Sequence, residues 1–420
     1  MALTLDKTQR DALVATITAE LPNLNVLHGS LIDAGGSHLG ERVRECLPKA
    51  PKVGKTTPLT ALPDDVPMGF FLDQLEAALP GPLSGAPDKI AITSLSGLTD
   101  AKAVAERLVE SFISLPWQYS LMLPTKIAAP ASSAMRKIDL GNGFFIQAFS
   151  SKEAEALPIQ RNEAMINSVM HRRVPERIVP DQYYFVQMTT GYITKYQSVA
   201  TEVFVDAAKG FFGLCSITGL LRLDPSWLGG PAWATPVLVY RHEGGQFRDQ
   251  PYQWLSVDDS DLLGRLVASG GDDAAIACAV SCNAFRDSTT RSAARWHLDS
   301  FAGSNELLQI IQATVSLEIL VGDKEESEQI GLAALLANRL AYFIGDTPTE
   351  RVATLKRFKQ LYKVRSEIVH RGKAVLAPQE RKALHEIRIF AHRAIGEQVL
   401  QLWKEAAPGG GGLPKLPLSG

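Results

Sequence analysis

At 420 residues the chain is long enough for two or three domains. With 45% hydrophobic and 21% charged residues it is neither disordered nor fibrous, and a net charge of −2 excludes a molecule that attracts nucleic acid over its whole surface. No apolar run reaches the roughly 18 residues of a membrane span and no apolar leader follows Met1, so the expectation is a soluble, cytoplasmic protein without a membrane partner.

In chain order, residues 4–20 read as an amphipathic helix, 25–28 as a short strand, and 48–67, rich in Pro, Thr and Lys, as a loop. Residues 68–79 form a helix, 89–93 a strand, and 98–115 a helix that starts near Thr99 and Asp100. Residues 118–123, 144–150 and 183–193 carry β-branched and aromatic side chains and read as strands. Over 198–221, Val203, Ala207, Phe211 and Leu214 recur at helical spacing. Residues 236–240 and 252–255 close this part as strands around a turn at Gly244 and Gly245. Interleaved strands and helices predict an α/β layered region over residues 1–270, with room for two subdomains.

Strand signals stop near Ser269 to Asp273. Helical segments follow at 274–301, 305–321, 327–344, 349–371 and 378–404, each with an apolar stripe such as Leu308, Ile311, Val315 and Ile319. Pro348 and Pro378 suit first turns, and Gly322, Gly345 and Gly372 suit helix ends. Short polar connections between long helices predict an up-down bundle over residues 271–407, followed by a flexible Gly/Pro tail at 408–420. The expected fold class is therefore α+β multidomain: an N-terminal α/β region, then an all-α helical bundle.

Cys46, Cys215, Cys278 and Cys282 make no disulfide framework and point to a reducing compartment. Cys278 and Cys282 are one helical turn apart without a second ligand pair at zinc spacing, so they read as a buried pair. No dense carboxylate cluster of the kind that holds magnesium is apparent, and no metal or cofactor is expected. Gly54-Lys55-Thr56-Thr57 has the tail of a phosphate loop, but Lys49 stands where its leading glycine belongs and no strand precedes it. His171-Arg172-Arg173 and His242 read as surface residues, and His385 and His392 as a shared helix face.

The most informative stretch is Leu361 to Gly372. Phe358, Leu361, Val364 and Ile368 form an apolar stripe, and Arg365 falls inside it. A guanidinium stays charged, so on such a stripe it needs partners or a task. His370 follows at the end of the same helix. Between Arg351 and Arg393 twelve Lys and Arg face three Glu, a local excess of nine positive charges. An arginine that grips phosphate and a histidine that moves protons suit attack of an RNA 2′-hydroxyl on the adjacent phosphate without metal. Two points stand against a simple shared site. Residues five apart on a helix are separated by about 140°, which a tightened last turn or a second subunit would have to overcome. Arg365 also has a structural alternative, an ion pair with Glu318 or Glu367.

The segment Tyr362-x-x-Arg365-Ser366-x-Ile368-Val369-His370-x-Gly372 resembles the signature of HEPN domains, particularly the ApeA-like group. Thr314 to Leu320 is similar to that family's acidic helix, with Glu318 at its centre, and Leu336 to Ala341 resembles its third helix, with Arg339 as the matching arginine. The resemblance covers about residues 285–403. It implies a metal-independent endoribonuclease of antiviral defence or toxin type that works as a homodimer through the bundle. Arg365 and His370 would be the catalytic pair, with Glu318 as a supporting acid and Ser366, Tyr362 and Arg339 around them. Lys359, Lys363, Arg371 and Lys373 would bind the RNA. Arg371 departs from the pattern, which has Gly sooner after the histidine. Residues 1–270 would sense a trigger or hold the nuclease inactive. The alternative within the same family is a non-catalytic module for RNA or nucleotide binding or for dimerisation.

Overall fold

A computed structural model describes residues 3–27, 30–32, 36–47, 65–79, 90–129, 136–158, 178–194, 199–223, 237–243, 246–249, 265–269, 274–302 and 305–406. The turn expected at Gly244-Gly245, the 48–67 loop, Gly54 to Thr57, the basic run at His171, the strand at 252–255 and the 408–420 tail lie wholly or largely outside these residues. The fold is mixed α+β, with sheet in the N-terminal half and helices in the C-terminal half.

The first layer is mainly helical. It comprises α1 (Lys7–Glu20), β1 (Asn25–Leu27), β2 (Ser30–Ile32), α2 (Gly36–Cys46), α3 (Asp65–Ala77), β3 (Ile90–Ala91) and α4 (Ala101–Ile113). Asp6 starts α1 with a reciprocal capping box to Gln9, and Asp100 caps α4 through the Ala103 N–H. The strand expected at 89–93 shrinks to Ile90–Ala91, because the chain turns into a 3-10 turn at Ile92. Leu13, Ile17, Phe70, Phe71, Leu108 and Phe112 fill this layer's core.

The second layer holds β4 (Trp117–Ala128), β5 (Lys137–Gly141), β6 (Phe144–Ala148), α5 (Ser151–Ala156), β7 (Gln182–Gly191), α6 (Val199–Ile217), β8 (Leu221–Leu223), β9 (Leu238–Glu243), β10 (Gln246–Asp249) and β11 (Leu266–Ala268). Six strands form one sheet in the order β10-β9-β4-β7-β6-β5, and every ladder in it is antiparallel. The strand-helix interleaving therefore does not produce a parallel α/β sheet; hairpins and long returns replace βαβ crossovers. β4 runs on well past Leu123, with an irregularity between Pro124 and Ala128 where Lys126 has a left-handed φ of 61°.

The C-terminal helices are α7 (Ala274–Phe285), α8 (Ser288–Asp299), α9 (Glu306–Val321), α10 (Lys324–Ile330), α11 (Leu332–Ile344), α12 (Pro348–Arg371) and α13 (Pro378–Ala406). The single helix expected at 274–301 is two, because Asp287 accepts from the Thr290 N–H at 2.7 Å and starts a new helix. The segment expected at 327–344 is also two, broken at Gly331, whose φ is 81°. Ile310, Leu317, Leu336, Leu340, Phe358, Leu361, Ile387 and Ala391 make the core shared by α9, α11, α12 and α13. A separate core joins the six-stranded sheet to α6, α7 and α8 and takes in Ile395 and Val399 from the far end of α13. That core contains Leu266 and Ala277, so the expected division near residue 270 falls within it.

Candidate functional site

Local sequence fixes both ends of α12. Thr347 accepts from the Glu350 N–H at 3.2 Å, Glu350 accepts from the Thr347 N–H at 3.2 Å, and Pro348 occupies the first turn. Gly372 ends the helix in the left-handed region, φ 63° and ψ 35°, and its N–H donates to the Glu367 carbonyl. The helix stays α-helical through Arg371, so no tightened last turn draws His370 toward Arg365. Phe358, Leu361 and Ile368 are buried, as the stripe requires.

Arg365 meets Glu318 across the α9–α12 contact. Its Nη2 lies 3.2 Å from Oε1 and 3.5 Å from Oε2. Tyr362 donates its hydroxyl to Glu318 Oε1 at 3.0 Å, and the guanidinium carbon of Arg365 sits 5.5 Å from the Tyr362 ring centre. Burial pushes the Tyr362 hydroxyl up to about 12; the Glu318 charge adds to this and Arg365 opposes it. The Arg365 and Glu318 side chains are only 17% and 19% exposed. The Arg365 Nε is buried and bonds nothing among the described residues. Of the two structural partners weighed for Arg365, the geometry selects Glu318.

Glu367 is engaged elsewhere. It takes Lys373 Nζ at 3.3 Å and lies 3.9 Å from Arg371, and Lys373 also pairs with Glu380. Lys373 is thus tied into an acidic pair, while Arg371 is three-quarters exposed beside His370. Ser366 is half-buried next to Arg365. Arg339 does not join the cluster: its Nη2 lies 2.9 Å from Glu326 and 3.5 Å from Asp323, and its Nη1 donates to the Val321 carbonyl at 3.3 Å. It fastens α11 to the turn between α9 and α10.

His370 lies on another face. It is exposed, and seven-residue steps align it with Lys363 and Lys356, with Lys359 between them. All four side chains are exposed, and none is ion-paired among the described residues. Elsewhere the basic excess is largely absorbed. Arg357 pairs with Glu386, Arg381 with Glu306, Arg351 with the Gly345 carbonyl, and Arg388 with Ser300 and Gln309. The row from Lys356 to His370 is the feature that adding up charge concealed. Its heptad spacing stands in the sequence and would have revealed it.

The site residues therefore fall into two groups. Glu318, Tyr362 and Arg365 form a half-buried cluster; Lys356, Lys359, Lys363 and His370 form a basic exposed row on the opposite side of α12. Among the described residues no group of three or more His, Cys, Asp and Glu side chains has metal-binding geometry, and no helix is long and apolar enough to cross a membrane. Comparisons with protein families, with characterised proteins and with solved structures found no match.

Proposed function

We propose that this chain is a metal-independent endoribonuclease of the HEPN type that acts on RNA as a homodimer. The observation that carries the reading is the row Lys356, Lys359, Lys363 and His370. Three ammonium groups, without ion pairs among the described residues, follow a phosphodiester backbone along about two turns, and the row ends on a proton-transfer group. In the reaction the RNA 2′-oxygen attacks the adjacent phosphorus and the bond to the 5′-oxygen breaks, leaving a 2′,3′-cyclic phosphate and a free 5′-hydroxyl. One His370 accepts the 2′-hydroxyl proton and His370 of the second copy returns a proton to the leaving 5′-oxygen.

Arg365 and His370 of one subunit look to opposite sides of α12, so the dimer has the task of bringing Arg365 of one copy to the phosphate at His370 of the other. The hold on Arg365 suits that role: only one of its nitrogens meets Glu318, at 3.2 and 3.5 Å. Phosphate oxygens compete well for such a contact. Residues 1–270 are assigned to the trigger or regulator. A second reading, a non-catalytic RNA-binding bundle, is favoured by the same Glu318 contact, which already neutralises the guanidinium.

The test is incubation of the full chain with labelled single-stranded and transfer RNA in EDTA, beside His370→Ala and Arg365→Ala. Cleavage by wild type alone, leaving cyclic-phosphate ends, is the expected result. Equal cleavage by both variants overturns the assignment. RNA binding without cleavage that disappears in Lys359→Glu/Lys363→Glu selects the second reading.

A further inference from the structure

Between α6 and α8 lies a cavity of about 220 Å³, remote in sequence from the Arg365 cluster. Phe144, Val203 and Ala207 supply apolar walls, and Arg291, Ser292 and Arg295 line the polar side. Arg291 and Arg295 are four residues apart on α8 and project from one face. The crossing that holds them depends on glycine. A Cβ at Gly210 would come within 2.5 Å of Arg291 Cγ, and one at Gly213 within 2.3 Å of the Ala294 carbonyl oxygen.

The two arginines differ in their partners. Arg295 has two carboxylate neighbours: Asp206 Oδ2 lies 2.9 Å from its Nη1, and the buried Asp299, which also takes Lys209 Nζ at 3.0 Å, lies 3.7 Å from its Nε. Arg291 forms no ion pair among the described residues. It donates Nη1 to the Phe285 carbonyl at 3.1 Å, and its guanidinium carbon sits 4.8 Å from the Phe285 ring centre. A guanidinium carries five N–H donors, so most of its capacity is unspent. Asp287 attracts it, but the Asp287 carboxylate is bonded to the Thr290 N–H at 2.7 Å and hydroxyl at 2.6 Å. Burial lowers the Arg291 pKa from its ordinary value against that attraction, which marks a cation whose lost hydration is under-compensated.

We propose that this cavity binds a small organic anion, a carboxylate or phosphate carried on a short apolar or aromatic body, with Arg291 as its principal donor. The fork of Arg291 matches either anion in plane. Arg295 and Ser292 complete the polar side, and Phe144, Val203 and Ala207 receive the apolar body. Asp206, with a side chain 53% exposed, is the outer of the two counter-ions of Arg295 and the one the ligand displaces, while the buried Asp299 stays in place. Because Val203 and Asp206 belong to α6 and the arginines to α8, the ligand would tie the sheet's covering helix to the first turns of the C-terminal helices. This inference does not depend on the nuclease reading.

The experiment titrates the full chain by calorimetry with benzoate and phenyl phosphate, with inorganic phosphate, and with benzyl alcohol as the neutral control. The expected result is saturable binding of one or both aromatic anions, weaker binding of inorganic phosphate, and none of benzyl alcohol. Which aromatic anion binds more tightly separates a carboxylate site from a phosphate site. Arg291→Gln should weaken binding by roughly tenfold or more, as loss of a charge-assisted hydrogen bond predicts. Asp206→Asn should tighten it. Val203→Trp fills the mouth from a position that is 49% exposed, so it should abolish binding in a folded protein even if Arg291→Gln does not fold. Absence of anion binding by wild type, or binding unchanged in Val203→Trp, overturns the proposal.

Discussion

Arg357 and Glu386 join α12 to α13 through two parallel bonds, 2.5 Å from Nε to Oε2 and 2.7 Å from Nη2 to Oε1. Just over two turns along the same helix, Arg365 offers Glu318 a single nitrogen at 3.2 and 3.5 Å. A planar fork matched to a carboxylate is the strong form of this interaction. The first pair is a fastening between helices. The second leaves a guanidinium with donors to spare at the edge of the bundle core.

Removing Arg365 alone should still destabilise the bundle. Arg365→Ala leaves a carboxylate that is only 19% exposed with the Tyr362 hydroxyl but without its counter-charge, which costs about 1–3 kcal/mol. Glu318→Gln should cost less, and the double variant less than the sum, because neither charge is then left alone. Urea unfolding of the four proteins measures the coupling. A coupling near zero would show that the pair does not contribute to stability.

The exposed lysines should act on RNA and not on folding. Lys359→Glu/Lys363→Glu is expected to leave the melting temperature nearly unchanged, because both side chains face water and lack ion pairs among the described residues. RNA affinity should fall. The slope of log K against log salt should shrink by roughly 0.7 for each phosphate of a single strand that the variant no longer neutralises. An unchanged slope would move the RNA away from this face.

Acid should destabilise the molecule through His297. This side chain is fully buried between Phe301 and His392, and burial, then His392 and Arg388, lower its pKa from 6.5 to about 3. The unfolded state therefore binds this proton more readily than the folded state. The stabilisation is complete above pH 6.5 and drains away as the pH falls toward about 3. His297→Leu should flatten stability between these limits, since Nδ1 makes no hydrogen bond in the folded protein among the described residues. Chemical denaturation at a series of pH values tests this, and an equal slope in the variant excludes His297 as the source.

Gly213→Ala should be among the most damaging single-methyl changes in the chain. The added Cβ would stand 2.3 Å from the Ala294 carbonyl oxygen and 2.6 Å from its carbon, atoms of a helix backbone that cannot turn aside. Separation of α6 from α8 is expected to cost on the order of 1–3 kcal/mol or more. Thermal unfolding of this variant beside Ala208→Gly gives the comparison.

Much of the helical half was legible because its signals are local. The stripe of Phe358, Leu361 and Ile368, Pro348 at a first turn and Gly372 past a last one each act within a few residues. Two breaks were missed because Asp287 and Gly331 lie inside continuous apolar patterns, where a cap or a left-handed residue overrides the period. The sheet was less legible. β4 pairs with β7 and β9, strands more than 50 residues away, and no local pattern names a partner at that range. Glu318 was one of two acids in reach of Arg365, and choosing it required the α9–α12 packing. The row from Lys356 to His370 was readable from spacing alone, once each charge was placed on the helix instead of added to a total.

The 29 residues of α13 make a rod about 44 Å long, with Ile387 and Ala391 set in one hydrophobic core and Ile395 and Val399 in another. A single rigid element thus threads two cores as an axle threads two wheels. A fragment cut at the start of α7 would keep α7 and α8 against the outer end of that axle but would strip from those two helices α6 and the strands that complete their core. The helical half should therefore resist release as a folded piece under limited proteolysis, and both cores should melt in one transition.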